Sequence, residues 1–335
     1  MKTTGPRSAH IYRATPRNLA RLAAALRRGE LVAVPTETVY GLAANALDEA
    51  ACRHIFTAKG RPTQDPLIVH IGHLRELDAI ADSNPAALIL ARKFWPGPLT
   101  LVLPKKSAVP GIVSAGLATV AVRLPNHPVF LRLQRLTGLP LAAPSANPFG
   151  YVSPTTARHV HDGLGARIKY ILDGGPTPIG LESTIVDLRN PRRVRILRPG
   201  AVTREQIAQA LGCDVSAPRQ RKPAPHAAQL APGMLTRHYS PRTPVTLHRH
   251  LPDSPHDTFA KTDAWVFFTR PLQISGKNIF ALTSDGSPAA AAHRLFSTLR
   301  RLDRKGYRTI HIEEAPKGGL GDAINDRLRR AAARE

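Results

Sequence analysis

Short apolar runs alternate with segments of helical spacing along the first two thirds of the chain. Such runs are typical of buried strands, whereas a segment that starts at a capping residue and stops at glycine or proline is typical of a helix. The predicted strands are 31–34, 67–71, 99–103, 119–124, 141–143, 168–172, 184–188 and 193–197. The predicted helices are 16–29, 48–58, 85–94 and 203–211. Because the two kinds of element mix without a regular rhythm, we expect an α+β or mixed-sheet α/β domain.

The composition changes near Gly212. Residues 214–233 are rich in proline, alanine and basic side chains, which is typical of an extended linker, although the segment 232–241 is too aromatic for a plain spacer. Strands then alternate with helices again, at 245–247, 264–268, 279–282, 289–302, 309–312 and 322–333. This alternation predicts a small Rossmann-like domain. We therefore expect a first domain over 1–212, a linker over 213–243 and a second domain over 244–335.

The charge of the chain indicates polyanionic partners. Its 47 lysine and arginine residues outnumber 24 acidic residues, which gives a formal net charge of +23. Such a surplus attracts nucleotides or RNA, with an effect that falls as salt rises. Surface arginine that merely reflects base composition is the alternative. Aromatic residues make up only 5% and do not interleave with the basic stretches, so a stacking platform for single strands is not expected.

Cysteine content and hydropathy indicate the compartment. Cys52 and Cys213 are too few for a disulfide framework or a four-ligand zinc site, which fits a reducing environment. No apolar run approaches the roughly 20 residues that span a bilayer. Residues 1–13 lack a signal-like apolar stretch. We therefore expect a cytoplasmic protein with no membrane partner.

Two short segments carry the candidate chemistry. Lys59 and Arg61, in Lys-Gly-Arg-Pro, can neutralise a polyphosphate, one as a point charge and one as a planar fork. Ser145 and Asn147, in Ser-Ala-Asn, are small hydrogen-bond donors for phosphate or carboxylate oxygens. The polar loop 35–42 follows a predicted strand nearby. No Walker loop is present, so the sequence predicts a nucleotide site of another kind.

These segments belong to an ordered set of motifs. The motifs are PTETVYGL at 35–42, KGRP at 59–62, PLIVH at 66–70, FWPGPLT at 94–100, VRLP at 122–125, APSAN at 143–147, ESTIV at 182–186, PGM at 232–234, RHYSP at 237–241, GLG at 319–321 and INDRL at 324–328. In this order they resemble the YrdC-like threonylcarbamoyl-AMP synthases, in their long form with an extra C-terminal domain. The resemblance implies a YrdC-like twisted mixed sheet with flanking helices as the catalytic domain.

The resemblance also implies a reaction. L-threonine, bicarbonate and ATP, with Mg²⁺ on the triphosphate, give L-threonylcarbamoyl-AMP and pyrophosphate, which makes the chain a nucleotidyltransferase. Partner proteins of a transfer complex then pass the threonylcarbamoyl group to a tRNA adenosine beside the anticodon.

The resemblance assigns roles to residues of this chain. The catalytic group is Lys59, Arg61, Ser145 and Asn147. The L-threonine site is Thr38, His70, Arg123, the Ala143 backbone and Ser183. The ATP site is Arg61, Asp65, Thr119, Ser145, Ser153, Arg198 and Tyr239. Asp65 stands where many relatives have asparagine, and a carboxylate there would repel phosphates unless Mg²⁺ or a base amino group intervenes.

Tyr239 lies in the predicted linker, outside the first domain. If it contacts the nucleotide, the linker acts as a lid that excludes water from a labile product. Two alternatives remain. One is a module that binds double-stranded RNA or tRNA without catalysis, with possible weak tRNA binding in either case. The other, a hydrogenase-maturation carbamoyltransferase, is disfavoured because the chain lacks paired-cysteine zinc motifs.

Overall fold

The computed structural model describes residues 8–217, 227–234, 238–252 and 259–333, which form two sheets. The N-terminus 1–7, the linker segments 218–226 and 235–237, and residues 253–258 and 334–335 of the predicted second domain lie outside these residues. The strands of the first sheet are β1 His10–Arg13, β2 Val32–Val34, β3 Gly41–Asn45, β4 Ile68–His70, β5 Leu99–Pro104, β6 Thr119–Arg123, β7 Leu141–Ala142, β8 Tyr170–Asp173, β9 Thr184–Asp187 and β10 Arg195–Arg198. The helices around it are α1 Pro16–Arg27, α2 Glu49–Lys59, α3 Leu77–Ile80, α4 Pro85–Phe94, α5 Pro128–Thr137, α6 Ala157–Leu164 and α7 Arg204–Leu211, and a 3₁₀ turn, Leu74–Glu76, precedes α3.

The first sheet is mixed, as predicted. Its strand order is β1-β8-β2-β3-β7-β4-β6-β5-β9-β10. Parallel pairs such as β4 with β6 and β5 with β9 sit beside antiparallel pairs such as β5 with β6 and β9 with β10. The fold class expected from the sequence is therefore confirmed.

Successive residues of the central strands point to opposite faces of this sheet. The Val69 face packs on α2, α4, α6 and α7 in the largest apolar cluster. The opposite face is covered by α1 and α5 over one half. Over the other half, Ile68 and Ala121 pack against Ala231 of the linker. The linker thus covers a stretch of sheet that no helix covers in the part of the chain described here.

The second sheet is parallel and carries two helices. Its elements are β11 Val245–His248, β12 Ala264–Thr269, β13 Ile279–Thr283, α8 Pro288–Asp303, β14 Ile310–Glu313 and α9 Leu320–Ala332. The strand order is β11-β14-β12-β13, with every pair parallel. The apolar cluster beneath α8 and α9 also contains Val39 and Leu181 of the first domain and Tyr239 of the linker. Helices α8 and α9 therefore lie between the second sheet and the first domain.

Some elements were not predicted. The strands β1 and β3 and the helices α3 and α5 are additions to the predicted elements. Strand β10 begins at Arg195, two residues later than expected, and includes Arg198. Among the described residues, no helix is long and apolar enough to cross a membrane.

Candidate active site

Lys59 joins the two predicted segments. Helix α2 ends where Gly60 adopts the left-handed conformation, with φ of +64°, and this turn directs the last helical residue inward. The Lys59 Nζ donates hydrogen bonds to the carbonyl oxygens of Ser145, at 2.6 Å, and Asn147, at 2.5 Å. The side chain is 2% exposed, and burial together with the nearby Arg61 lowers the pKa of Lys59 well below its usual value. Lys59 therefore fixes the Ser-Ala-Asn turn.

Arg61 pairs with the unexpected carboxylate. Its Nη2 lies 2.9 Å from Asp65 Oδ2, and it donates to the carbonyl oxygens of Asp65 and Pro66. Both side chains are buried. Burial raises the pKa of Asp65, and the positive charge of Arg61 opposes that shift. Asp65 thus faces Arg61 and does not line the cavity.

Arg123 lies at the end of β6 and is held by three partners. Its Nη1 donates to Thr38 Oγ1 at 2.9 Å, its Nη2 lies 2.7 Å from Glu37 Oε1, and its Nε donates to the Gly97 carbonyl at 3.2 Å. Its charge is therefore balanced by Glu37, a residue to which the sequence analysis gave no role.

His70 is a neutral neighbour of Arg123. Burial, followed by the positive charge of Arg123, lowers the pKa of His70 to about 3. Its Nδ1 lies 3.2 Å from the carbonyl oxygen of Ile68, which can only accept a hydrogen bond. This contact favours the neutral tautomer with the proton on Nδ1, in which Nε2 is an acceptor.

Arg198 and Ser183 form another wall. Arg198 donates through Nε and Nη2 to the Ser183 carbonyl, at 3.1 and 3.0 Å, and through Nη2 to Ser183 Oγ at 3.1 Å. Ser183 Oγ also shares a 2.7 Å hydrogen bond with Thr100 Oγ1. Arg198 is buried, and its hydrogen bonds described here go to these groups and the Pro232 carbonyl rather than to a carboxylate.

The linker closes the site from the other side. Tyr239 is 1% exposed, has φ of +62°, and stacks on Phe296 of α8 with ring centroids 5.5 Å apart. His238 packs against it with centroids 4.0 Å apart. Neither His238 Nδ1 nor the Tyr239 hydroxyl has a hydrogen-bond partner among the described residues. Burial, followed by the charges of Arg61 and Lys59, holds the pKa of His238 far below its usual value.

These walls enclose a cavity of about 40 Å³. Ligand sites for small molecules are usually about 300–1,000 Å³. The conformation is therefore closed, with room for a few water molecules only. Nine residues assigned from the sequence line it, namely Thr38, Arg61, His70, Arg123, Ala143, Ser145, Ser183, Arg198 and Tyr239.

The other assigned residues lie outside the lining. Lys59 and Asp65 stand behind it with the contacts given above, and Asn147 donates through Nδ2 to the carbonyl oxygens of Pro148 and Tyr151. The Ser153 hydroxyl donates to Glu182 Oε1. Thr119 is the first residue of β6, at the opposite end from Arg123, and the structure does not bring it to the closed cavity.

Sequence reasoning gave no role at the site to two carboxylates or to any residue of the second domain, although it predicted that domain. Glu37 and Glu182 stand next to assigned residues in the quoted motifs, so adjacency was an available signal. His238 lines the cavity beside Tyr239. Arg327, from α9, lies in the quoted INDRL motif and pairs with Glu182 at 2.9 Å, a partner that the motif did not indicate.

The fold and the cavity define a two-domain α/β protein whose cation-rich site lies beneath the linker between its domains. A family model described as "Telomere recombination", covering Sua5, YciO and YrdC proteins, matches residues 24–200. A second, described as "Threonylcarbamoyl-AMP synthase, C-terminal domain", matches residues 202–333. The chain belongs to the Sua5/YciO/YrdC family, in the form that carries this C-terminal domain, and the resemblance read from the motifs is confirmed.

Named relatives agree along almost the whole chain. A threonylcarbamoyl-AMP synthase of Pyrococcus abyssi is 42% identical, over 92% of this chain and 92% of the relative. One of Bacillus subtilis is 39% identical, over 94% and 92%. A crystal structure of P. abyssi Sua5 complexed with L-threonine aligns with a TM-score of 0.87 and 38% identity, over 97% of this chain and 98% of that one.

Proposed function

We propose that the protein is an L-threonylcarbamoyladenylate synthase, a nucleotidyltransferase. The carbamate formed from the L-threonine amine and bicarbonate attacks the α-phosphorus of ATP, an oxygen–phosphorus bond forms, and pyrophosphate leaves.

One observation supports the proposal most directly. The closed cavity has more buried cations than buried carboxylates around it. Arg61, Arg123 and Arg327 each pair with a carboxylate, namely Asp65, Glu37 and Glu182. The hydrogen bonds of Lys59 and Arg198 given above go to carbonyl and hydroxyl oxygens instead.

This excess charge suits the reaction. A carbamate and a triphosphate are both anions, so bringing them together requires positive charge that is already fixed in place. Arg198 and Arg61 are suited to hold phosphate oxygens, with Ser145 as a neutral donor. Lys59 acts by holding the Ser145 turn and by adding its charge.

The other end of the cavity suits an amino acid. Arg123 offers its fork to the threonine carboxylate. His70 accepts a hydrogen bond through Nε2 without adding charge. Thr38 and Ser183 supply hydroxyl groups, and the Ala143 backbone borders the amino acid. The L-threonine in the P. abyssi structure supports this assignment.

The adenosine has a proposed place once the linker opens. The face shared by Ile68, Ala121 and Ile185 is apolar and is covered by Ala231 of the linker in the closed form. It continues from Arg123 along β6 towards Thr119. We propose that the adenine lies here, which would explain why Thr119 is outside the closed cavity.

Mg²⁺ would enter with ATP rather than occupy a protein site. No group of three or more potential metal ligands is present among the described residues, and the nearby carboxylates of Asp65 and Glu37 are engaged by arginines. The donor set therefore fits a cation held by phosphate oxygens and water. Bound in this way, Mg²⁺ supplies further charge neutralisation.

The closed linker has a function in this scheme. The product is a mixed anhydride that water destroys, and a site with room for a few water molecules protects it. Because ATP cannot enter so small a cavity, the linker must open and close during each cycle.

The product must then reach an acceptor. We propose that it supplies a transfer complex that modifies tRNA in the cytoplasm, and that the net charge of +23 assists encounters with RNA. RNA binding alone would not need the neutral groups around the amino-acid end of the cavity.

Pyrophosphate release tests the proposal. It is measured with Mg²⁺ and ATP, omitting L-threonine and bicarbonate in turn, and we expect release to require both. Lys59→Met and Arg198→Met should each reduce it about 100-fold, while Lys93→Met, an exposed lysine on α4, should not. Pyrophosphate release that does not depend on threonine would contradict the proposal. RNA binding without any release would favour the RNA-binding module.

A further inference from the structure

Arg327 belongs to α9, yet its fully buried side chain reaches the first domain. Its Nε donates to Glu182 Oε2 at 2.9 Å, and its Nη1 donates to the Pro199 carbonyl at 2.8 Å. Its guanidinium carbon lies 5.3 Å from the centroid of the Tyr239 ring. One side chain of the second domain thus contacts two loops of the first domain and the linker.

Each contact adjoins the cavity. Glu182 precedes Ser183, and Pro199 follows Arg198, which binds the Ser183 carbonyl. The two loops are packed so closely that a Cβ on Gly200 would lie 2.4 Å from the backbone nitrogen of Thr184. A shift of Glu182 or Pro199 would therefore move the Ser183–Arg198 wall.

The neighbours of Arg327 in the INDRL motif hold it in place. The Asn325 side chain accepts from the Ala315 N–H and donates to the Ala315 carbonyl, both at 2.8 Å, and so fixes the loop that enters α9. Asp326 Oδ2 accepts from Arg327 Nη1 at 2.8 Å. The motif that marks the long form is therefore built to present this guanidinium.

A buried arginine between domains can serve only to attach one domain to the other. Arg300 is an example of such a contact. It extends from α8, donates to the carbonyl oxygens of Val152, Ser153 and His159, and lies 4.9 Å from the centroid of the Tyr151 ring. These described contacts include no linker residue and no carboxylate. Arg327, by contrast, contacts both the Glu182 carboxylate and the Tyr239 ring of the linker.

We infer that Arg327 is a positioning residue for the reaction, which the C-terminal domain supplies by holding Glu182 and the Tyr239 ring in the closed arrangement. The inference rests on the proposed function. It makes linker closure and docking of the second domain a single event, because the same guanidinium takes part in both.

The test compares Arg327→Met with Arg300→Met in the full-length protein. Both variants lose a buried interdomain arginine, so both should lower Tm. Arg327→Met should reduce kcat by about 100-fold and Arg300→Met by much less, because only Arg327 holds both the Glu182 carboxylate and the Tyr239 ring of the linker. It should also raise the ratio of free AMP to intact threonylcarbamoyl-AMP, and hydrogen exchange should increase in peptides covering 238–243. The KM for threonine should change less than kcat, because Arg123 and His70 are not among the described contacts of Arg327 even though Ser183 belongs to the wall that moves.

A double variant separates the effect of Arg327 on catalysis from its effect on folding stability. Glu182→Gln combined with Arg327→Met leaves no unpaired buried carboxylate, so it should recover Tm relative to Arg327→Met without recovering the ratio of intact product to AMP. If Arg300→Met and Arg327→Met lower kcat equally and leave linker exchange alike, Arg327 only attaches the domains and the inference is wrong. A wild-type protein without threonine-dependent pyrophosphate release would instead overturn the proposed function.

Discussion

Replacing Gly233 by alanine should open the closed site while leaving both domains folded. Gly233 has φ of +79°, and a Cβ built there would lie 2.7 Å from the Tyr239 hydroxyl and 3.3 Å from two Arg198 side-chain atoms. Ordinary contact between such atoms begins near 3.4 Å. The Tyr239 hydroxyl must therefore retreat by roughly 0.7 Å, against the stacking of its ring on Phe296.

The expected effect has two parts. An alanine in the left-handed region costs about 1–2 kcal/mol, which lowers the Tm of a domain of this size by several degrees. Displacing a group at a reacting centre by a fraction of an ångström costs about 10-fold to 100-fold in rate. We therefore expect a modest loss of stability and a large loss of intact product.

Gly212→Ala separates the two parts. Gly212 ends α7 with φ of +64°, and a Cβ there would meet no atom within 4 Å. It carries the same backbone cost without placing an atom near Tyr239 or Arg198. The assay is pyrophosphate release together with the fraction of adenylate recovered as threonylcarbamoyl-AMP. Equal catalytic losses in the two variants, or none in Gly233→Ala, would refute the role given to the closed linker.

Three further predictions concern the buried charges and the linker. With a pKa of about 3 when folded and about 6.5 when unfolded, His70 contributes stability that is complete above pH 6.5 and declines as the pH falls, by about 2 kcal/mol at pH 5. His70→Asn should therefore flatten the dependence of Tm on pH, and an unchanged slope would contradict this. Asp65→Asn should lower stability by about 3 kcal/mol, because Arg61 loses its counter-charge, and should enlarge the rise in Tm caused by Mg-ATP; no larger rise would count against it. Truncation before Pro232 should leave a folded first domain that binds ATP more weakly and loses more adenylate to hydrolysis, and unchanged activity would refute the lid.

The predictable parts of the fold are those with a local signal. Helices α1 and α4 begin with a capping side chain followed by proline, and both were predicted. Helix α5 carries the same signal in His127 and Pro128 and could have been found. Strand β3, by contrast, reads Gly-Leu-Ala-Ala-Asn, which has low strand propensity, and it is a strand because β2 and β7 pair with it.

The site residues also divide into those with a local sequence signal and those without one. Residues in short motifs could be assigned because each motif holds its chemistry within a few positions. The pairing of Glu182 with Arg327 spans 145 residues, and no periodicity or spacing reports a contact of that range. Asp65 and Arg61 are only four positions apart. The sequence nevertheless could not show whether the carboxylate faces the arginine or the ligand.

The closed linker also determines how substrates enter. Opening must at least remove the Tyr239 ring from Phe296 and Arg327 and expose it to water. Burying an aromatic ring of this size is worth about 1.5–3 kcal/mol, so without ligands the open form would be populated at no more than about 1–10%. Substrates would then bind a minor form, and their apparent affinity would fall by that fraction. Because Arg327 ties the same ring to α9, any ligand that favours closure must also tighten the docking of the second domain, and a weakened interface must in turn weaken ligand binding.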